Sequence, residues 1–295
     1  MKPSIECLRC LITTRLREVE RSRLADSEKL FIARRVVEEI INNFNFEIEL
    51  TKFATWIYKY LVSIAPDVVE YYRELKSASN RIALKAIKEH EEYAEALKDF
   101  EKFKYLVKLS ATANLLDYGV AEHSPIENPL PPDIVDKYSV VVNHVDKLYS
   151  KVSRGGLKIA WLFDNAGEAV YDSLLLVELR KRGNYVIGFL KDEPGFQNDV
   201  TINDVLSIGL DRLLDELVVY GSSSTIHLDS ISEEARRAIE KVDLLIAKGM
   251  SNYEYLSEVE IGKPICFILI PKCDVVARSI GGDSKGKIVV LCRGL

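Results

Sequence analysis

The sequence predicts an α/β fold: a Rossmann-like, mostly parallel sheet with flanking helices, preceded by an all-helical N-terminal domain. Three observations carry this. Apolar runs of strand length recur at 159–163, 185–190, 217–220, 243–247 and 265–270, with stretches of helical spacing between them. Such alternation implies parallel strands joined by right-handed crossovers. Each run then leads into a polar, chemically capable group: Asp164-Asn165, Asn198-Asp199, Gly221-Ser222, Lys248-Gly249 and Lys272. Parallel strands would gather all five groups at one sheet edge, where open α/β sheets bind ligands. Finally, residues 1 to about 122 read as helices throughout.

Taken in order, 29–43 carries Leu30, Ala33, Val36, Val37, Ile40 and Ile41 at helical spacing, and 51–64 continues with Phe53, Trp56, Ile57, Tyr60 and Leu61. Pro66-Asp67 marks a helix start. A long helical stretch follows through Tyr72, Leu75, Ile82 and Ile87, and another at 93–116. His123-Ser124-Pro125 and the 128–132 segment with Pro129, Pro131 and Pro132 form a break. A short helix at 132–149 and the flexible 153–156 approach the first strand. Crossover helices are expected at 170–181, 201–215, 232–241, 253–258 and 275–280. The run 288–292 is expected to add an edge strand, in a direction the sequence leaves open. The domains divide at 1–150, helical, and 151–295, α/β and metal-binding.

At 295 residues and 47% hydrophobic content the chain can bury a substantial core. Its net charge of -5 and lack of a polybasic block argue against a duplex nucleic-acid partner. No apolar run approaches the ~18 residues of a membrane span. The N-terminal stretch lacks a signal peptide's apolar region, so a cytoplasmic location is expected. Five cysteines do not make a disulfide scaffold in a chain this long. Cys7-x-x-Cys10 has no second ligand pair for zinc and reads as packing, as do Cys266, Cys273 and Cys292.

Asp164-Asn165-Ala166-Gly167-Glu168 offers hard oxygen ligands for Mn²⁺, Mg²⁺ or a similar ion. The same residues suit a helix N-cap. Asp199 reads as a further hard ligand or, again, as a cap. Gly221-Ser222-Ser223-Ser224-Thr225 is an anion nest or a solvent turn. Lys248 and Ser251 can hold an anion at a helix N-terminus, and Asn252 and Glu254 can touch a substrate hydroxyl or serve as helix-end polar residues. Lys272 can neutralise phosphoryl oxygens or simply snorkel.

In this order the motifs resemble the DUF89 family of metal-dependent damage-control phosphatases, which includes ARMT1-like proteins, in its archaeal-type branch. The resemblance runs from Cys7-x-x-Cys10 through Lys76-x-x-x-Asn80 and Asn114-Leu115-Leu116-Asp117-Tyr118. It continues in Asp164–Glu168, Asn198-Asp199, Lys248-Gly249 with Asn252-Tyr253-Glu254, and Lys272-Cys273. It implies a divalent metal (Mn, Ni, Co or Mg) on Asp164, Asn165 and Asp199, with Asp164 and Lys272 catalytic. It further implies substrate contacts from Glu168, Ser222, Lys248, Met250, Ser251, Asn252, Tyr253, Glu254, Lys272, Asn80, Asn114 and Asp117. The function expected is a metal-dependent phosphatase for small phosphorylated metabolites, either sugar phosphates or damaged cofactor phosphates. The alternatives are an S-adenosylmethionine-dependent carboxyl methyltransferase and a non-catalytic metal- or phosphate-binding protein. Gly167 alone suits the methyltransferase poorly, and no GxGxxG supports a dinucleotide site.

Overall fold

The computed structural model describes residues 1–125 and 129–295; Asn128, in the predicted proline-rich break, lies outside the described residues. Five helices open the chain: α1 (Ile5–Arg21), α2 (Asp26–Asn43), α3 (Leu50–Ile64), α4 (Asp67–Glu95) and α5 (Asp99–Ala113). The sheet elements follow as β1 (Val140–Asn143), α6 (Val145–Val152), β2 (Lys158–Leu162), α7 (Glu168–Lys181), β3 (Tyr185–Leu190), α8 (Ile202–Ile208) and β4 (Glu216–Val219). The chain ends with α9 (Glu233–Lys241), β5 (Leu244–Lys248), α10 (Gly249–Leu256), β6 (Ile265–Leu269), α11 (Asp274–Ile280) and β7 (Ile288–Arg293).

The strands form one seven-stranded sheet in the order β1-β7-β6-β5-β2-β3-β4. The five expected strands, β2 to β6, all pair in parallel. From β2 the chain winds outward to β3 and β4, then returns to the other side of β2 for β5 and β6. The order therefore reverses between β2 and β5, the crevice where doubly wound sheets hold ligands.

Two expectations need correction. Residues 132–149 are not one helix: a 3-10 turn at Pro132–Asp136 leads into β1, then α6 begins. The consecutive β-branched residues Val140, Val141 and Val142 favour a strand there. β7 is consequently an interior strand, parallel to β1 and antiparallel to β6. One strand of the sheet thus comes from before residue 151.

Both sheet faces are buried, so the strands read as continuous apolar runs. Side-chain alternation splits β2: Ile159 and Trp161 join one cluster with Phe103, Leu106 and Val107 of α5, while Ala160 and Leu162 join another with residues of α9 and α10. Helix α5 is therefore a layer of the α/β sandwich. Helices α1 to α4 close a third cluster around Ile40, Ile57 and Leu61, which includes Phe196 from the sheet side. Cys266 and Cys292 face each other across β6 and β7 and are disulfide-bonded, not free packing thiols as expected. No helix among the described residues is long and apolar enough to cross a membrane.

Phe267 on β6 is fully buried and meets the Tyr253 ring edge-on at 5.2 Å between centroids. Phe267→Ala should cost about 3–5 kcal/mol, read from the shift in urea midpoint.

Candidate active site

Beyond β2 the chain turns through Asp164–Gly167 into α7. Gly167 has φ +79°, and a Cβ there would lie 2.1 Å from Ser79 Oγ on α4. Asn80, also on α4, accepts the Gly167 N–H at 2.7 Å through Oδ1. The helical segment thus clamps the turn. The loop after β3 comes alongside: Asn165 forms an isolated antiparallel bridge with Asp199. Ala166 N–H donates to the Asn198 carbonyl at 2.9 Å, and Val200 N–H to the Asp164 carbonyl at 2.8 Å. Neither acidic residue is spent on capping. The α7 N-cap is Gly167, with no side-chain cap, and α8 is capped by a Thr201–Asp204 box.

The buried side chains form one ordered network. Asp164 Oδ2 accepts from Asn114 Nδ2 at 2.8 Å and Asn165 Nδ2 at 2.7 Å. Glu168 Oε2 accepts from the same two amides at 3.0 and 2.9 Å. Lys248 donates to Glu168 Oε1 at 2.6 Å, to Asp172 Oδ1 at 2.9 Å and to the Ser110 carbonyl at 2.9 Å. Lys272 donates to Asn114 Oδ1 at 2.9 Å and Asp117 Oδ2 at 2.8 Å. Lys191 pairs with Asp199 Oδ2 at 2.6 Å.

Five carboxyl groups (Asp117, Asp164, Glu168, Asp172 and Asp199) therefore face three lysines, a formal excess of two negative charges when all are ionised. The strain shows in their titration. Burial, then repulsion from Glu168 and Asp199, pushes the Asp164 carboxyl well above the usual carboxylate range. Burial raises Asp199 to about 6 although Lys191 opposes it, and raises Asp172 to about 6 against Lys248. Asp117 is also buried, yet Lys272 holds it below its ordinary value.

This arrangement fits a divalent cation. Asp164 and Asp199 line the same cavity, and Oδ1 of each is left without a hydrogen bond among the described residues. Asn165 Oδ1 accepts one bond, from Asn198 Nδ2 at 2.9 Å, and keeps a second lone pair. No three His, Cys, Asp or Glu side chains converge in metal-ligand geometry among the described residues. The candidate set is thus two carboxylates and one amide, all hard oxygen donors.

The cavity is open on one side, and its empty space, counted out into the solvent at its mouth, is about 1020 Å³. Of the residues singled out from sequence, Asp117, Asp164, Asp199, Met250, Ser251 and Glu254 line it. Asn114, Asn165, Glu168 and Lys272 stand behind this wall, bonded to it as described. Four expected contacts turn inward instead. Lys248 is fully buried among Glu168, Asp172 and Ser110. Asn252 is held by the Phe163 and Lys248 carbonyls and by Thr225. Tyr253 packs on Phe267, and Asn80 is occupied by Gly167. In the loop after β4, Ser224 rather than Ser222 lines the cavity.

Among the groups that sequence reasoning missed are Arg15 on α1 and Gln197, which line the cavity, and Lys191, which pairs with Asp199 behind it. For Arg15 the signal was present, because Leu11, Arg15 and Glu18 share one helix face, so a charged pair sits at core positions. A similar signal existed for Lys248: Glu168 and Asp172 lie four residues apart on a buried helix face and require a cation.

Gly249 has φ +77°, and a Cβ there would overlap Asp164 Oδ2 at 1.8 Å. Gly249→Ala should lose more stability than Gly209→Ala, since Gly209 shares the left-handed backbone (φ +73°) but has open space around it. The common strain is roughly 1–3 kcal/mol, and urea unfolding of both variants reads the difference. Glu254, partly buried on the cavity wall, has its carboxyl pushed up to about 7 by burial. Its folded pKa exceeds the unfolded value, so ionisation works against folding as pH rises from about 4 to 7. Glu254→Gln should therefore gain stability over the parent at pH 8, by roughly 2 kcal/mol relative to the same comparison at pH 5.

The damage-control phosphatase ARMT1-like domain matches residues 4–288. A damage-control phosphatase of Archaeoglobus fulgidus is 35% identical over 228 residues, covering 75% of this chain and 77% of that protein. One from Pyrococcus horikoshii is 28% identical over 292 residues, covering 95% and 94%. The crystal structure of a DUF89 family protein from Pyrococcus horikoshii superposes with a TM-score of 0.81 at 26% identity, covering 99% of each chain. With the family match spanning nearly the whole length and the fold in agreement, this chain belongs to the damage-control phosphatase ARMT1-like (DUF89) family.

Proposed function

We propose that this chain is a metal-dependent phosphatase that hydrolyses phosphomonoesters of small metabolites, either sugar phosphates or damaged cofactor phosphates. The observation that carries the reading is the excess of two negative charges around the unbonded oxygens of Asp164 and Asp199, at the sheet's switch point and open to a cavity. A phosphate ester would be repelled there unless a cation intervened. Relatives named as damage-control phosphatases support the same chemistry.

Asp164, Asn165 and Asp199 would hold the cation, and hard oxygen donors suit Mn²⁺, Mg²⁺, Co²⁺ or Ni²⁺. When bound, it supplies Lewis acidity toward a phosphoryl oxygen and toward water. The protein's own residues then orient and balance charge. Asn114 holds Asp164 through Nδ2 and Lys272 through Oδ1, and so fixes the spacing between carboxylate and ammonium. Lys272, bonded to Asp117 at 2.8 Å just behind the wall, would stabilise negative charge on the transferring group. Lys248 acts at one remove: it neutralises Glu168, which in turn orients Asn114 and Asn165. Met250, Ser251 and Glu254 meet the rest of the substrate, and apolar wall residues such as Leu11 and Phe196 limit water. The methyltransferase alternative gains nothing here, because the turn after β2 has a single glycine and α4 packs against it.

Phosphate release from p-nitrophenyl phosphate, assayed with added Mn²⁺, Co²⁺, Ni²⁺ or Mg²⁺, tests the assignment. Asp164→Ala should abolish turnover; retained activity would remove Asp164 from the ligand set. Lys272→Ala should lower kcat by about 10²–10³ while calorimetric metal affinity changes little, the magnitude expected for losing one group that stabilises developing charge. Equal loss of metal affinity would place Lys272 in a different role.

A further inference from the structure

Helix α1 delivers a charged pair to the cavity wall. The Arg15 and Glu18 side chains are 2% and 1% exposed, with Arg15 Nε 3.0 Å from Glu18 Oε2. The guanidinium lies 5.1 Å from the centre of the Tyr58 ring and 5.9 Å from that of Phe196. Glu18 Oε1 accepts from Tyr72 at 2.6 Å and from Gln197 at 2.8 Å. Among the described residues Arg15 Nη1 makes no hydrogen bond, and Nε, though in ion-pair distance of Glu18, is not aligned for one.

A guanidinium carries five N–H donors, and burying them unused is unfavourable. Here the group is held in place by aromatic faces and a partner carboxylate, and it lines the cavity shared with Asp164 and Asp199. Such a pre-oriented planar fork suits a carboxylate or phosphate, with little further ordering needed on binding. It is also not tied to the carboxylates of the proposed reacting end. No ion pair or hydrogen bond joins Arg15 to Asp117, Asp164 or Asp199 among the described residues, and the only carboxylate it pairs with is Glu18.

We propose that Arg15 binds an anionic group of the substrate other than the scissile phosphoryl. The preferred substrate is then a phosphomonoester with a second anion, either a carboxylate or another phosphoryl group. This rests on the phosphatase reading of the same cavity. Gln197 links the two ends: it donates to Glu18, and it lies two residues before Asp199 in left-handed backbone (φ +50°).

The test compares kcat/KM for 6-phosphogluconate and fructose 1,6-bisphosphate with that for glucose 6-phosphate, using the full chain and added Mn²⁺. The parent should prefer at least one doubly anionic probe, and which one identifies the second anion. Arg15→Met combined with Glu18→Gln removes both charges and leaves no orphaned carboxylate; it should reduce that preference about 10–100-fold, mainly through KM, as expected for losing charge-assisted hydrogen bonds. Arg15→Lys, which keeps the charge without the fork, should fall between. No preference in the parent, or an unchanged ratio in the double variant, overturns the assignment. A calorimetric arm without metal separates this from the hydrolase reading: 6-phosphogluconate should bind the parent more tightly than glucose 6-phosphate does, and the double variant should lose the difference. If neither chain releases phosphate but that binding difference is present and Arg15-dependent, the hydrolase reading fails and the anion site stands. Equal binding of the two probes overturns the site.

Discussion

The site is organised by crowding of negative charge in a place water barely reaches. Asp164, Asp199, Glu168 and Asp172 are all buried, and three buried lysines fall short of neutralising the carboxylates around them. Removing a charge from water is unfavourable unless it is paired and hydrogen-bonded. Most of these carboxylate oxygens are accordingly tied to an amide, hydroxyl or ammonium; among the described residues Asp172 Oδ2 is buried without a hydrogen bond, and Oδ1 of Asp164 and of Asp199, on the cavity side chains, has none either. On the function proposed above, the unbonded oxygens of Asp164 and Asp199 are where a cation would relieve the excess.

That arrangement depends on the helical segment as much as on the sheet. Helix α5 contributes Ser110, whose carbonyl holds Lys248 and whose hydroxyl holds Asp172, and Asn114 follows at its end. Helix α4 contributes Ser79 and Asn80 against the Asp164–Gly167 turn. Helix α1 contributes the Arg15–Glu18 pair. The cavity lies where these helices meet the carboxyl ends of the strands, so its wall is assembled from distant parts of the chain.

Much of this was legible beforehand, for specific reasons. Strands buried on both faces leave uninterrupted apolar runs, so β2 to β6 stood out, and their parallel pairing followed from the helices between them. β1 escaped notice because four residues carry too little pattern, and with it the interior place of β7. Asp164 and Asn165 were visible as polar groups following an apolar strand closely, and Asp199 as one in the loop between a strand and the next helix. Whether they capped helices was not, since a cap and a ligand use the same residue types; Thr201 and Gly167 occupy the cap positions instead. Lys248 looked like an anion contact because nothing in its local sequence reveals Glu168 and Asp172, about eighty residues away, as its partners.

The sequence by itself determined the element types, the parallel core of the sheet and the edge at which the chemistry gathers. These follow from periodicity and strand-to-helix order, which act over short distances along the chain. Tertiary structure decided the direction in which each polar side chain faces: Lys248 and Asn252 inward, Arg15 to the cavity, Cys266 onto Cys292. Those choices are set by contacts between segments far apart in sequence, where burial makes an unpaired charge unfavourable and so selects its partner.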